Sequence, residues 1–263
     1  MSNSFKNVIL LIYFNHKHLI YLKDFYFKLY GNYFKSLIFI SNCNHPQEQG
    51  LVNDILYIYT QNGDLTHRIF APFYQIYKSE LEKSDGLFFA IDDCILNMKL
   101  LENYNTDKII FNMFQSEIKT LDKHSGWQWD RPYEGKEAIY RMLEDKDYYS
   151  NFHIKNYTGC FSDRFYLPKK YLNDKTFGLF QLFAKHSVYL ELAIPTVILT
   201  IEEDLEMYQS IKEEVLWGED RNTRFSNKDY LKKSLIDNKN FVIHPVRSHT
   251  YPEINEWLLE IIN

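Results

Sequence analysis

The feature that most constrains the fold is a set of short runs that are apolar at consecutive positions rather than at alternate ones. They are Val8 to Phe14, Ser36 to Ile40, Ile55 to Thr60 and Gly86 to Ile91. A strand with hydrophobic side chains on both faces must be covered on both, which is the condition of a strand inside a helix-flanked, largely parallel sheet. Amphipathic stretches lie between the runs. His18 to Phe34 carries Leu19, Leu22, Phe25, Tyr26 and Leu29 at helical spacing and ends near Gly31. Gln61 to Asp64 is a turn, and Thr66 to Leu81 reads as a helix that Pro72 would kink. Strand, helix and strand in this order predict βαβ units and a Rossmann-like open α/β sheet that is mixed but mostly parallel. Ligands in such sheets bind beyond the carboxyl ends of the strands.

The second half is less regular. It predicts a strand in Asp107 to Gln115, a polar loop from Lys119 to Glu134, a helix from Glu134 to Leu143, and a strand across Tyr157 to Leu167. A helix near Phe177 to His186, an apolar run from Leu190 to Thr200, a strand at Phe241 to His244 and a helix from Glu253 to Ile262 follow. No repeat or linker interrupts the chain, so a single domain over residues 1–263 is expected.

Charge and cysteine usage narrow the function classes. With 35 acidic against 30 basic residues, the chain lacks the positive field that nucleic-acid binding requires. Cys43, Cys94 and Cys160 are odd in number and form no CxxC pair, which argues against a disulfide framework or a zinc site and suits a reducing compartment. Val8 to Phe14 is far shorter than the roughly 20 residues of a membrane span. A cytoplasmic protein without a membrane span is expected.

Two adjacent carboxylates, Asp92 and Asp93, interrupt the hydrophobic stretch Gly86 to Asn97. Burying two like charges side by side is costly unless a cation accompanies them. A hard divalent ion, Mn²⁺ or Mg²⁺, takes oxygen ligands and shares its shell with phosphates. The competing reading is that one of the two caps a helix beginning at Cys94.

The helix and buried strand that lead into these acids resemble the DxD-type motif of GT-A glycosyltransferases. Thr66-His67-Arg68 followed by Gly86 to Asn97 is more narrowly similar to STELLO-like proteins and to glycosyltransferase domains of large algal viruses. Ile91 stands where the first acid of D-x-D would fall, so the match is to a variant with adjacent acids. The resemblance implies a GT-A-like catalytic domain, with residues 1–105 as the nucleotide-binding half and 106–263 as the acceptor-binding half. It implies a metal held by Asp93, Asp92 and His244, the last in Phe241 to Arg247. A donor-approaching loop is implied at Gly159, within Thr158 to Asp163, and a general base at Glu191, within Leu190 to Thr196. A plain turn and a surface glutamate are the alternatives for these last two. Leu192 departs from the acidic residue usual after that glutamate.

Donor contacts are implied for Tyr13, Phe14 and Asn15, where an aromatic ring would stack on uracil, for Asp92 at the ribose or a metal-bound water, and for Arg68 and Arg247 at the diphosphate. Tyr13 and Phe14 read equally well as core. Trp127, Trp129 and Asp130 are candidate acceptor contacts, since indole rings pack on sugar faces. The reaction implied is inverting transfer of a sugar from a nucleotide diphosphate, UDP-glucose or UDP-rhamnose, to a glycan or glycoprotein hydroxyl, in the host cytoplasm were the source viral. Two alternatives stand beside it: a nucleotidyltransferase that makes sugar nucleotides, against which Asn15 to His18 lacks the expected glycine, and a non-catalytic carbohydrate-binding protein on the same scaffold.

Overall fold

The structure, a computed structural model, describes residues 5–61, 63–112, 118–120, 135–146, 151–152, 154–216 and 224–262. Strand β1 (Val8–Phe14) lies in the middle of the main sheet, and all seven of its residues are buried, as its continuous apolarity requires. It pairs in parallel with β2 (Ser36–Asn42) on one side and β5 (Gly86–Ile91) on the other. Beyond β2 come β4 (Ile55–Ile58), also parallel, and the antiparallel edge strand β3 (Gly50–Val52). Beyond β5 come β10 (Arg164–Pro168), antiparallel, then β7 (Ile109–Ile110) and β11 (Tyr208–Gln209). The order is β11-β7-β10-β5-β1-β2-β4-β3, the mixed, mostly parallel α/β sheet expected.

Strand register decides which side chains share a face. Ile12 pairs with Phe39 and with Ala90, so Leu10, Ile12, Phe14, Phe39 and Phe88 share one side. Helix α1 (Lys23–Tyr30) covers it, with Tyr26 5.9 Å from the Phe14 ring and Phe27 5.2 Å from that of Phe39. On the other side, Phe70 of α2 (Phe70–Glu82) packs 5.0 Å from Phe89 and 4.5 Å from Phe180 of a later helix, Asp174–Lys185. That helix packs in turn on another, Leu190–Ile201, which is buried at ten of its positions and so lies inside the protein. One contiguous core runs from Phe5 to Ile262.

Several details correct or extend the sequence expectation. Pro72 sits in the first turn of α2, where a backbone N–H has no α-helical partner, and the irregularity falls at Tyr77 instead (φ −108°, ψ 16°). The span Tyr157 to Leu167 is two strands: β9 (Asn156–Tyr157) pairs with β8 (Lys119–Thr120), and β10 begins only at Arg164. The apolar run from Leu190 is a helix despite Pro195. A second small sheet orders β12 (Glu213–Val215), β13 (Val242–His244) and β6 (Ile95–Leu96), and it is this sheet that brings the end of the chain to the acidic pair. Among the described residues no helix is long and apolar enough to cross a membrane.

Candidate active site at the end of strand β5

The two aspartates follow β5 directly. No helix begins at Cys94: its N–H donates to Ile91 O at 3.0 Å in a tight turn, and the chain continues into β6. The capping alternative therefore falls. Pairing of Ile95 with Ile243 then sets β13 alongside, and the imidazole of His244 meets Asp93, Nε2 to Oδ1 at 3.2 Å. Val246 N–H donates to Asp93 O at 2.8 Å, just after the cis His244–Pro245 peptide. On the other side, Ile91 N–H donates to Asp163 O at 2.9 Å, and Asp163 Oδ2 lies 3.8 Å from His244 Nε2. Three chain segments thus converge on one point, where Cys94 Sγ, a carboxylate oxygen of Asp93 and a ring nitrogen of His244 all lie within 4.8 Å of one another.

The neighbouring aspartates meet opposite electrostatics. Asp92 is 6% exposed. Burial, with the Asp93 charge adding to it, lifts its carboxyl to about 8, although Asn15 N–H lies 3.5 Å from Oδ1. Its main chain is tied down: its N–H donates to Tyr13 O at 2.9 Å, and its carbonyl accepts from the Tyr26 hydroxyl. At Asp93 burial works in the same upward direction, but the His244 charge and contact outweigh it and hold the carboxyl below its ordinary value. For His244 burial disfavours the cation, and Asp93 and Asp163 outweigh it and raise the imidazole. The buried Arg164 guanidinium tempers the negative charge: Nη1 is 3.7 Å from Asp163 Oδ2, and Nη2 is bonded to Glu213.

The donor set fits a divalent transition ion. Neighbouring ligands around one ion with bonds of about 2.1 Å stand about 3 Å apart, and 3.2 and 3.8 Å are close to that. Asp93, Asp163 and His244 offer carboxylate and imidazole donors that could hold a divalent ion, and the Cys94 thiol beside them is raised well above its ordinary value by burial. Asp92 is outside this donor group, whereas Asp163 is beside it.

Gly159 lies in the buried loop that ends at Asp163. The loop is anchored on the helix Leu190–Ile201 by a consequence of its proline. Pro195 has no N–H to give the carbonyl four residues back, that of Glu191, and Cys160 N–H donates to this carbonyl instead, at 3.0 Å. Glu191 is in the first turn and only 8% exposed, so the surface-glutamate alternative is overturned. Asn15, at the end of β1, has a buried Oδ1 with no hydrogen-bond partner. Arg247 is half-buried, and its charge helps to hold the Asp93 carboxyl down.

The expected base contacts of Tyr13 and Phe14 are corrected. Tyr13 and Phe14 are wholly buried, so neither ring is open to a base. The Tyr13 hydroxyl bonds Thr60 Oγ1 at 2.9 Å, and Phe14 stacks on Phe39 at 5.9 Å. Arg68 points to Gln61 Oε1 (3.2 Å), Ser187 Oγ (3.0 Å) and Thr60 O (3.5 Å), beside a groove of about 490 Å³ lined also by Tyr59, Gln75 and Gln181. Trp127, Trp129 and Asp130 lie outside the described residues. Sequence reasoning missed Asp163 and Cys94 as members of the site. Asp163 closes the glycine loop and Cys94 follows the acids, but only the antiparallel insertion of β10 and the turn before β6 bring them there.

No protein-family model matches the chain, and no curated protein matches it. Among solved structures it is similar to the glycosyltransferase GlyE of Streptococcus pneumoniae TIGR4, with a TM-score of 0.39 and 12% identity. That alignment covers 98% of this chain and 63% of GlyE, so the chain spans less than two thirds of that protein.

Proposed function

We propose that this protein is a metal-dependent glycosyltransferase that moves a sugar from a nucleotide diphosphate donor to a glycan hydroxyl with inversion. The observation that carries the reading is the meeting of Asp93 with His244 at 3.2 Å and Asp163 near by, past the carboxyl end of a central parallel strand. Asp93, His244 and Asp163 would hold the ion. When bound, such an ion neutralises a diphosphate leaving group without proton transfer. Asp92, next to Asp93 in the chain, supports this set, and Arg247 supplies a planar fork for a phosphate. Glu191, buried at a helix start, takes the proton of the acceptor hydroxyl; a carboxylate withdrawn from water suits a general base. Uridine sugars, UDP-glucose or UDP-rhamnose, are the donors to try first.

The test is release of free nucleoside diphosphate from a panel of nucleotide sugars in the presence of Mn²⁺. Active protein releases it, Asp93→Ala abolishes metal-dependent donor binding, and Glu191→Gln keeps binding while transfer falls by at least about a hundredfold. Donor binding that is indifferent to Asp93→Ala, measured by calorimetry, removes the assignment. Sugar-nucleotide synthesis from a sugar phosphate and a nucleoside triphosphate would mark the protein as a nucleotidyltransferase instead.

A further inference from the structure

The segment after β1 and the segment after β13 each reach one of the aspartates. The first is placed by the approach of Asn15 N–H to Asp92 Oδ1 at 3.5 Å, and the next residues, His16 and His18, are exposed with rings stacked 5.5 Å apart at 16°. The second is tied by Val246 N–H to Asp93 O at 2.8 Å, after which Arg247 O accepts from Thr250 N–H (3.0 Å) and Tyr251 N–H (3.2 Å) in a turn that presents His249. His249 is exposed. We propose that His16, His18, His249 and Arg247 form an anion-binding rim over the carboxylates, built to receive the phosphoryl oxygens of a diphosphate.

Electrostatics links the two loops. Partial desolvation lowers the basicity of His249 first, and the charges of Arg247, His18 and His16 lower it further against the opposing pull of Asp93. Bases crowded in this way gain from an anion that spans them, because each protonated ring then donates a charge-assisted hydrogen bond. The neighbouring lysines do not take this part. Lys17 pairs with Glu48 at 2.8 Å and lies over the Tyr57 ring, and Lys23 lies over the rings of Phe27 and Phe39. Among the described residues no salt bridge joins Arg247 to a carboxylate, so its fork is open to a phosphate. The other charged groups facing the rim are Asp92 and Asp93, with His244 and Asp163 behind them.

The choice of a diphosphate rests on the metal-dependent reading above, but the rim is tested without metal, sugar or nucleoside. Inorganic pyrophosphate is titrated calorimetrically into EDTA-treated protein at low salt, at about pH 6 and about pH 8. Wild-type protein should bind roughly tenfold more tightly at the lower pH, a difference of about one charge-assisted contact. The triple variant His16→Ala, His18→Ala, His249→Ala should lose about tenfold in affinity at the lower pH, keeping the part of the pH dependence that ionisation of Asp92 contributes, and Arg247→Ala should weaken binding at both. His16 and His18 are exposed at the start of a 3-10 helix, Lys17–Leu22, and His249 on an exposed turn, and unchanged circular dichroism and melting of the triple variant checks that the fold survives. Equal affinity of wild type and triple variant, or sulfate binding as tightly as pyrophosphate, overturns the proposal. Pyrophosphate binding as expected, with no nucleotide sugar consumed, would leave the rim standing and sink the transferase reading alone.

Discussion

Asp92 and Asp93 are joined by one peptide bond and yet hold their protons in opposite ways. Asp92, pushed to about 8 by burial and by its neighbour, is protonated in the folded chain over a range where the unfolded chain has lost that proton. The folded state thus binds more protons than the unfolded one between the ordinary aspartate value and about 8, so this group's contribution to stability is complete in acid and is lost as pH rises through that window. His244, raised by its two carboxylates, acts in the same direction, and Asp93, held low, acts only at more acid pH. Asp92→Asn keeps the shape and removes the proton. In EDTA, urea unfolding of the variant and the wild type should coincide near pH 4. The variant should be increasingly the more stable as pH rises toward 8. A constant offset at every pH would show that the carboxyl is not held neutral.

Two elements are joined at a point too narrow for any side chain. Gly86 opens β5 opposite Pro168 of β10, and a Cβ placed on it would stand 2.4 Å from the ring and hydroxyl of Tyr166. That ring is buried, and its hydroxyl donates to Thr106 O at 2.9 Å, so it has no room to turn aside. Gly86→Ala should destabilise the protein by about 1–3 kcal/mol through overpacking. Adding Tyr166→Leu should restore part of the loss, because the two changes share one contact. Denaturant midpoints of the single and double variants measure both effects, and simple additivity would count against the clash.

Across the whole molecule, the two sheets are coupled by a buried ion pair. Arg164 leaves β10 of the large sheet and bonds Glu213 on β12 of the small one, with side-chain exposures of 1% and 8%. Asn112 Nδ2 donates to the other Glu213 oxygen at 2.7 Å. Removing Glu213 leaves the buried Arg164 with only the longer contact to Asp163 at 3.7 Å, so Glu213→Ala should cost about 3 kcal/mol in urea unfolding. Replacing both, Arg164→Met with Glu213→Leu, should recover most of that. The small sheet carries His244, so the single variant should also weaken Mn²⁺ binding, which calorimetry reads separately from stability.

The central strands β1, β2, β4 and β5 and the helices between them were legible in the sequence. A strand buried on both faces has to be apolar at every position, and a helix covering it has to repeat that apolarity every three or four residues. The acidic pair stood out for the same reason, as a break in a run that burial otherwise explains. Of its partners, His244 was implied only by the resemblance, and Asp163 did not stand out. His244 and Asp163 reach Asp93 through the pairing of β13 with β6 and of β10 with β5, between segments far apart in the chain. A contact of that kind leaves no local period in either segment. The same limit applies to Tyr13 and Phe14, whose place on the inner faces of the sheet depends on what packs over them. Sequence by itself determined which strands are interior and where charge breaks into them. The tertiary structure decided which groups meet that charge, because only the packed sheet order sets distances between residues that the chain keeps apart.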